Sequence, residues 1–168
     1  TKDWTDAEIM KAVGAEGEQT EGRFFPDTYL FASTESDLDL LQRAFDTMEA
    51  ALEEEWAERE PDLPYSTPYE ALIMASIVER ETGATHERDQ VAGVFVRRLQ
   101  KGMRLQTDPT VIYGLGDQYK GNITRAHLKA YTPYNTYRIN GLPPTPITAC
   151  CSPTAAIRSS ADRSSPRP

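Results

Sequence analysis

Between residues 37 and 59, Leu41, Phe45, Met48, Leu52 and Trp56 recur at spacings of four, three, four and four. That period puts them on one face of a helix, and Ser36 stands where an N-cap belongs. Glu53, Glu54 and Glu55 read as a solvated face, and Pro61 to Pro64 break the segment. Thr67-Pro68-Tyr69-Glu70 then spells a helix start: a capping threonine, a proline at the first helical position and a glutamate that closes a capping box. The apolar run behind it predicts a helix to about Thr82, with Gly83 as the stop. A third helix is expected over residues 86–101. Val91, Val94, Phe95 and Leu99 share one of its faces, Arg97, Arg98 and Lys101 suit its C-terminal end, and Gly102 ends it.

Elsewhere the pattern is weaker. Residues 1–20 are acidic, with a short helix expected near Asp6–Val13. Residues 21–31, EGRFFPDTYLF, read as extended chain with a turn, packed by its rings. Asp108-Pro109 opens a short helix or turn ending near Gly114, and Thr124 caps another over Arg125–Ala130. Residues 131–147, YTPYNTYRINGLPPTPI, read as loop. Helices dominate, strand signals are few, and no internal repeat is present.

Composition narrows the possible partners. The 168 residues suffice for one compact domain with a core. A net charge of −8 repels phosphates and excludes nucleic acid. No apolar run approaches the ~20 residues that span a bilayer, so no membrane contact is expected from this segment itself. No signal peptide opens the chain; its start, TKDWTDAE, reads as a piece of something longer. The two cysteines, Cys150 and Cys151, are adjacent and give no disulfide framework. His86-Glu87 matches the opening of a zincin motif, but Gln90 stands where the second histidine belongs. Neither a metal nor a cofactor is expected.

The chemistry concentrates in MASIVERETG, residues 74–83, where two glutamates lie two residues apart. Counting back seven, four and three from Glu81 gives Met74, Ile77 and Val78, all apolar; from Glu79 the count gives Leu72, Ala75 and Ser76, a weaker stripe. The two carboxylates point about 200° apart and cannot act as a close pair. Burial favours the neutral form of a carboxyl group, and a neutral carboxyl can donate a proton. Glu81 is therefore the better general acid, with Glu79 as a helix-packing or supporting residue. A structural role for Glu81, paired with Arg88 or Arg98, stays open on spacing alone.

ASIVERET (75–82), ERDQVAGVFVRRLQKGMRLQTDPTVIYGLG (87–116) and TPYNTYRINGLPP (132–144) closely resemble the endolytic murein transglycosylase, or YceG-like, family, and EGRFFPDTY resembles its segment before the long helix. The likeness runs in unbroken order over about residues 21–147. It implies an α+β, mainly helical fold with a lysozyme-like catalytic core. It also implies peptidoglycan glycan strands as substrate, cut internally between N-acetylmuramic acid and N-acetylglucosamine. No water takes part, and a 1,6-anhydro-muramoyl end remains. The family's catalytic glutamate falls on the second glutamate of its motif, Glu81 here.

The rest of the site is assigned by residue type, and GMRLQTDP (102–109) resembles the glycine-hydrophobic-glutamine motif of lytic transglycosylases more widely. Gln106, in GMRLQTDP, would bond a sugar N-acetyl group or orient Glu81, or else fix its own loop. Asp108 reads first as an N-cap and, more sharply, as a second carboxylate. Tyr134, Asn135 and Tyr137 would line a sugar cleft or pack their loop. Thr82, Tyr113 and Arg104 are weaker candidates. Arg98 would brace Glu81, although close pairing would spoil an acid. Family context adds peptidoglycan synthases as partners.

The family usually begins with a cytoplasmic tail, a membrane-spanning helix and a LysM-like domain, which place catalysis in the periplasm or outside the cytoplasmic membrane. None of these is in this sequence. The expected division is therefore 1–20, the end of a preceding segment; 21–147, a catalytic domain incomplete at its C-terminal end; and 148–168, a disordered or aberrant tail. That tail, rich in serine, proline and arginine, reads as truncated or frame-shifted where the family continues with a small-residue helix and a strand-rich segment. Two other functions stay open: a hydrolytic muramidase using Glu81 and Asp108, and a non-catalytic glycan-binding or scaffold module.

Overall fold

A computed structural model describes residues 1–148. The expected tail, apart from Thr148, and both cysteines lie outside the described residues. Among the described residues the chain forms six α-helices: α1 (Asp6–Ala12), α2 (Asp37–Ala57), α3 (Pro68–Glu81), α4 (Arg88–Gln100), α5 (Asp108–Leu115) and α6 (Arg125–Lys129). Short 3₁₀ turns span Thr85–Glu87 and Gly116–Gln118. The mainly helical expectation holds, but its strand component is not found among these residues. None of these helices is long and apolar enough to cross a membrane.

The core is built around α3. Every residue from Ala71 to Val78 is buried, Ser76 included. A helix apolar on all sides belongs in the middle of a domain, and α3 is covered all round. Met48 and Leu52 of α2 pack on Leu72. Ala92, Phe95 and Val96 of α4 join Met74, Ile77 and Val78, together with Leu105 and Ile147. The one-sided stripe read from the sequence is corrected here: the positions behind Glu79 are as buried as those behind Glu81, so stripe counting does not separate the two carboxylates. The α4 face also shifts. Val94 is 46% exposed, and Val96 takes its place in the core. Glu55, read as solvated, is half-buried.

Helix starts follow the sequence closely. Thr67 accepts from the Glu70 N–H while the Glu70 carboxylate accepts from the Thr67 N–H, a closed capping box. Helix ends follow it less well. Gly102 ends α4 in the left-handed region (φ +65°), with Gly102 N–H to Leu99 O and Met103 N–H to Arg98 O, the Schellman pattern. Gly83 is no such stop. Thr82 leaves α3 in an extended conformation, and its hydroxyl accepts from the Ala84 N–H and donates to Glu87. The segment after it is a 3₁₀ turn, so α4 begins at Arg88 rather than His86.

Two irregular segments complete the domain. In residues 21–31, Phe24 meets Phe45 edge-on at 6.1 Å and Phe25 packs on the Met48–Leu52–Leu72 cluster. Tyr29 is half-buried and donates to Phe25 O, whereas Leu30 and Phe31 stay 86% and 67% exposed, so the last residues of that segment are not packed. The proline-rich chain at 142–147 crosses α3 as buried structure. Pro143 and Pro146 are fully buried, and prolines bring no N–H that would need a partner there. The Ile147 N–H donates to Ser76 Oγ, which itself donates to Ile73 O. Gly22 (φ +75°) lets the chain pass: a Cβ there would lie 2.7 Å from Pro146 Cγ.

Candidate functional site

Helix α3 delivers Glu79 and Glu81 to the surface at its last turn, and the two have different fates. Glu79 Oε1 lies 2.7 Å from the Arg88 guanidinium, a half-buried ion pair that ties α3 to α4. Glu81 forms no ion pair with Arg88 or Arg98. Its Oε2 accepts from Thr107 Oγ1 at 2.6 Å. Glu81 itself is exposed, which overturns the expectation that apolar neighbours bury it. Its neighbours one turn back are fully buried, but α3 breaks the surface at Glu79 and its final residue faces solvent.

The partner of Glu81 comes from the loop between α4 and α5. Thr107 is 2% exposed and is the N-cap residue of α5; Asp108, expected as the cap, is the first helical residue instead. Buried hydroxyls hold the Thr107 backbone on both sides. Its N–H donates to Thr136 Oγ1 at 3.1 Å, and its carbonyl accepts from Thr110 Oγ1 at 2.9 Å. Thr110 and Thr136 hydroxyls also meet at 2.9 Å. Just before it, Gln106 sits at φ +56°, a region a non-glycine residue occupies only when its surroundings demand it. The Gln106 N–H donates to Thr136 O, and its side-chain oxygen accepts from Arg98. Arg98 also donates to Arg104 O. Arg98 thus braces the loop that reaches Glu81, not Glu81 itself.

On the other flank, Tyr137 Oη donates to Asp108 Oδ1 at 2.7 Å. Burial, the hydrogen bond to Asp108 and the negative charges of Asp108 and Glu81 push the Tyr137 phenol up to about 12, with Arg98 opposing. Glu81, Asp108 and Arg98 therefore all act on one phenol. Gln106 and Asp108 are exposed beside it. The cluster offers two carboxylates, a phenol and an amide to an approaching polar ligand. Arg104 lies at the edge, donating to Tyr137 O and Asn140.

Other expected site residues lie elsewhere. Asn135 is 1% exposed and cannot touch a sugar. Its amide donates to the carbonyls of His127, Leu128 and Ala130, and its oxygen accepts from the Tyr137 N–H. It caps α6 and shapes the loop. Tyr134 donates to or accepts from Thr145 at 2.8 Å, and its ring lies against Tyr113 at 5.0 Å, tilted by 56°. Those two rings line a separate cavity of about 750 Å³ with Glu21, Phe24 and Thr145. Burial and the nearby charge of Glu21 push the Tyr113 phenol up. Thr82 closes the turn after α3. Among the described residues no group of three His, Cys, Asp or Glu side chains is placed to hold a metal. Sequence reasoning missed Thr107, Thr110 and Thr136. The only available signal was the run of threonines inside QTDPT and NTY, and isolated threonines give no periodic pattern.

Known proteins resemble this chain in sequence and in fold. The sequence model of the YceG-like family matches residues 2–164. A protein named endolytic murein transglycosylase from Bacillus subtilis is 36% identical over 127 residues, covering 76% of this chain and 35% of the relative. One of the same name from Streptococcus pneumoniae is 33% identical over 139 residues, covering 76% of this chain and 23% of the relative. The chain thus spans about a third or less of these curated relatives. A crystal structure of a YceG-like protein from Listeria monocytogenes superposes with a TM-score of 0.71 at 33% identity, covering 94% of this chain and 54% of that one.

Proposed function

Because the chain belongs to the YceG-like family, we propose that it carries the catalytic unit of an endolytic lytic transglycosylase acting on peptidoglycan glycan strands, with Glu81 as the acid and base. The observation that carries this reading is the division of labour at the end of α3. Arg88 neutralises Glu79, while Glu81 is exposed, forms no ion pair among the described residues and is held by the Thr107 hydroxyl. The names of the Bacillus and Streptococcus relatives supply the substrate class. On this reading residues 21–147 are the catalytic unit. Its work is done where glycan strands lie, outside the cytoplasmic membrane, and peptidoglycan synthases are the partner class implied.

The reaction needs one carboxyl group. Glu81 in its acid form protonates the glycosidic oxygen as the bond from C1 breaks. As carboxylate it then takes the proton from the muramoyl C6 hydroxyl, whose oxygen closes on C1. The nucleophile arrives with the substrate, so the high effective molarity of an intramolecular attack replaces an activated water. Glu81 is exposed in the free chain, so the bound strand must itself exclude water and favour the neutral acid. Gln106, Asp108 and Tyr137 would hold the sugars beside it.

Mass spectrometry of glycan products tests this reading. The wild-type chain should release 1,6-anhydro ends, lighter by one water than hydrolytic products. Glu81→Gln should cut the rate by about 10²–10⁴-fold while keeping strand binding. Products of full hydrolytic mass would favour a muramidase in which Asp108 activates water, the second carboxylate being in the same cluster. Binding without cleavage by the wild type would favour the scaffold reading.

A further inference from the structure

We propose that Thr107 is the positioning residue for Glu81, and that the buried hydroxyls of Thr110 and Thr136 form the rack that aims it. The inference rests on the reading of Glu81 as the acid. A glutamate at the last turn of a helix, exposed and without an ion pair, has free rotation about three side-chain bonds. One contact removes that freedom: the Thr107 hydroxyl on Oε2 at 2.6 Å. Thr107 is itself immobilised. Its N–H and its carbonyl are both bonded to buried threonine hydroxyls, and those hydroxyls bond to each other. The strained backbone of Gln106 directly before it, with its N–H on Thr136 O, marks where the fold holds the loop against its local preference.

Proton accounting gives the device a direction. A threonine hydroxyl has one proton, and that of Thr107 is committed to Oε2. The acid proton then sits on Oε1, the oxygen left to meet the glycosidic bond. The same hydroxyl keeps Oε2 in place when Glu81 returns as carboxylate to collect the C6 proton. A single oxygen thereby donates and later accepts at one location. Catalytic groups displaced by about 1 Å lose on the order of 10²-fold in rate, which sets the scale expected for losing this contact.

The test compares Thr107→Val, Thr107→Ser and Glu81→Gln in the full chain against purified glycan strands. Valine keeps the shape and removes the hydroxyl; serine keeps the hydroxyl. We expect Thr107→Val to lower kcat by about 10–100-fold with KM within about twofold, and Thr107→Ser to restore kcat to within about threefold of wild type. Should the valine chain fail to fold, Thr107→Ala against Thr107→Ser carries the same comparison, with alanine expected at least about tenfold below serine in kcat. An activity-independent readout is the carboxyl ¹³C resonance of Glu81, identified by its loss in Glu81→Gln. It should move in the valine or alanine variant and stay in the serine variant. Wild-type kcat without the hydroxyl, equal loss in the serine variant, or an unmoved resonance overturns the inference. Failure of the underlying reading looks different: there Glu81→Gln itself still cleaves, or the wild type does not.

Discussion

The two ends of α3 are built by different means. Its start is local. Thr67, Pro68 and Glu70 lie within four residues and satisfy one another. Its finish is assembled from far along the chain: Arg88 holds Glu79, Thr107 holds Glu81, and Thr136 holds Thr107. A helix start needs only its own first-turn N–H groups satisfied. A candidate catalytic end needs a side chain fixed in space, and nothing within four residues of Glu81 does that. Stability and chemistry should therefore separate along one helix: substitutions at the start act on folding, and those at the finish act on turnover.

The strongest test of that separation outside Glu81 and Thr107 is Asn135→Ala. Asn135 satisfies three carbonyls at the end of α6 and positions the loop that carries Thr136 and Tyr137. Its removal leaves part-buried acceptors without this donor and should cost about 1–3 kcal/mol, read as a fall of roughly 3 °C in the thermal midpoint per kcal/mol for a chain of this size. Turnover of the molecules still folded should fall as well, because the threonine rack loses its backing. Loss of stability with unchanged turnover would show that the rack holds without this loop.

Thr67→Ala probes the opposite end at smaller cost. It removes the side chain that accepts from the Glu70 N–H and should lower stability by about 1 kcal/mol. Glycan cleavage per folded molecule should not change. Equal damage to turnover would mean that the two ends are coupled through the buried helix, and the comparison would fail.

The same contrast explains what the sequence made legible. The starts of α2, α3 and α6 were readable because an N-cap is a local code, and Ser36, Thr67 and Thr124 each cap as expected. The Gly102 stop was readable for the same reason. The α3 stripe misled because the helix is buried on every side, where spacing carries no directional information. The proline-rich loop was readable as loop, but not its burial: Pro143 and Pro146 have no N–H to satisfy and tuck against the core. Glu81 was singled out by a stripe that does not distinguish it and by family likeness that does. Thr107, its partner, lies 26 residues away, beyond the reach of any local pattern.

The smallest expected effect compares one tyrosine from each end. Tyr69, in the first turn of α3, donates to Glu21 O, and Tyr137, beside Glu81, donates to Asp108. Burial pushes the phenols of both up to about 12, but only Tyr137 owes part of its shift to a hydrogen-bonded carboxylate. Asp108→Asn should therefore bring the Tyr137 titration down and leave Tyr69 where it is. Tyrosinate absorbance shows this, with Tyr69→Phe and Tyr137→Phe assigning the two transitions. A raised folded value means that the native state keeps its proton longer than the unfolded chain, whose phenols titrate near 10. The stabilisation is complete below that pH and is lost as pH climbs towards 12. Asp108→Asn narrows that window for Tyr137 alone, so the alkaline fall in stability should be shallower than in the wild type. If Tyr137 does not move, burial and the charges of Glu81 and Arg98 set its titration and the Asp108 contact contributes nothing measurable. The finishing end of α3 would then rest on Thr107 without help from its other flank.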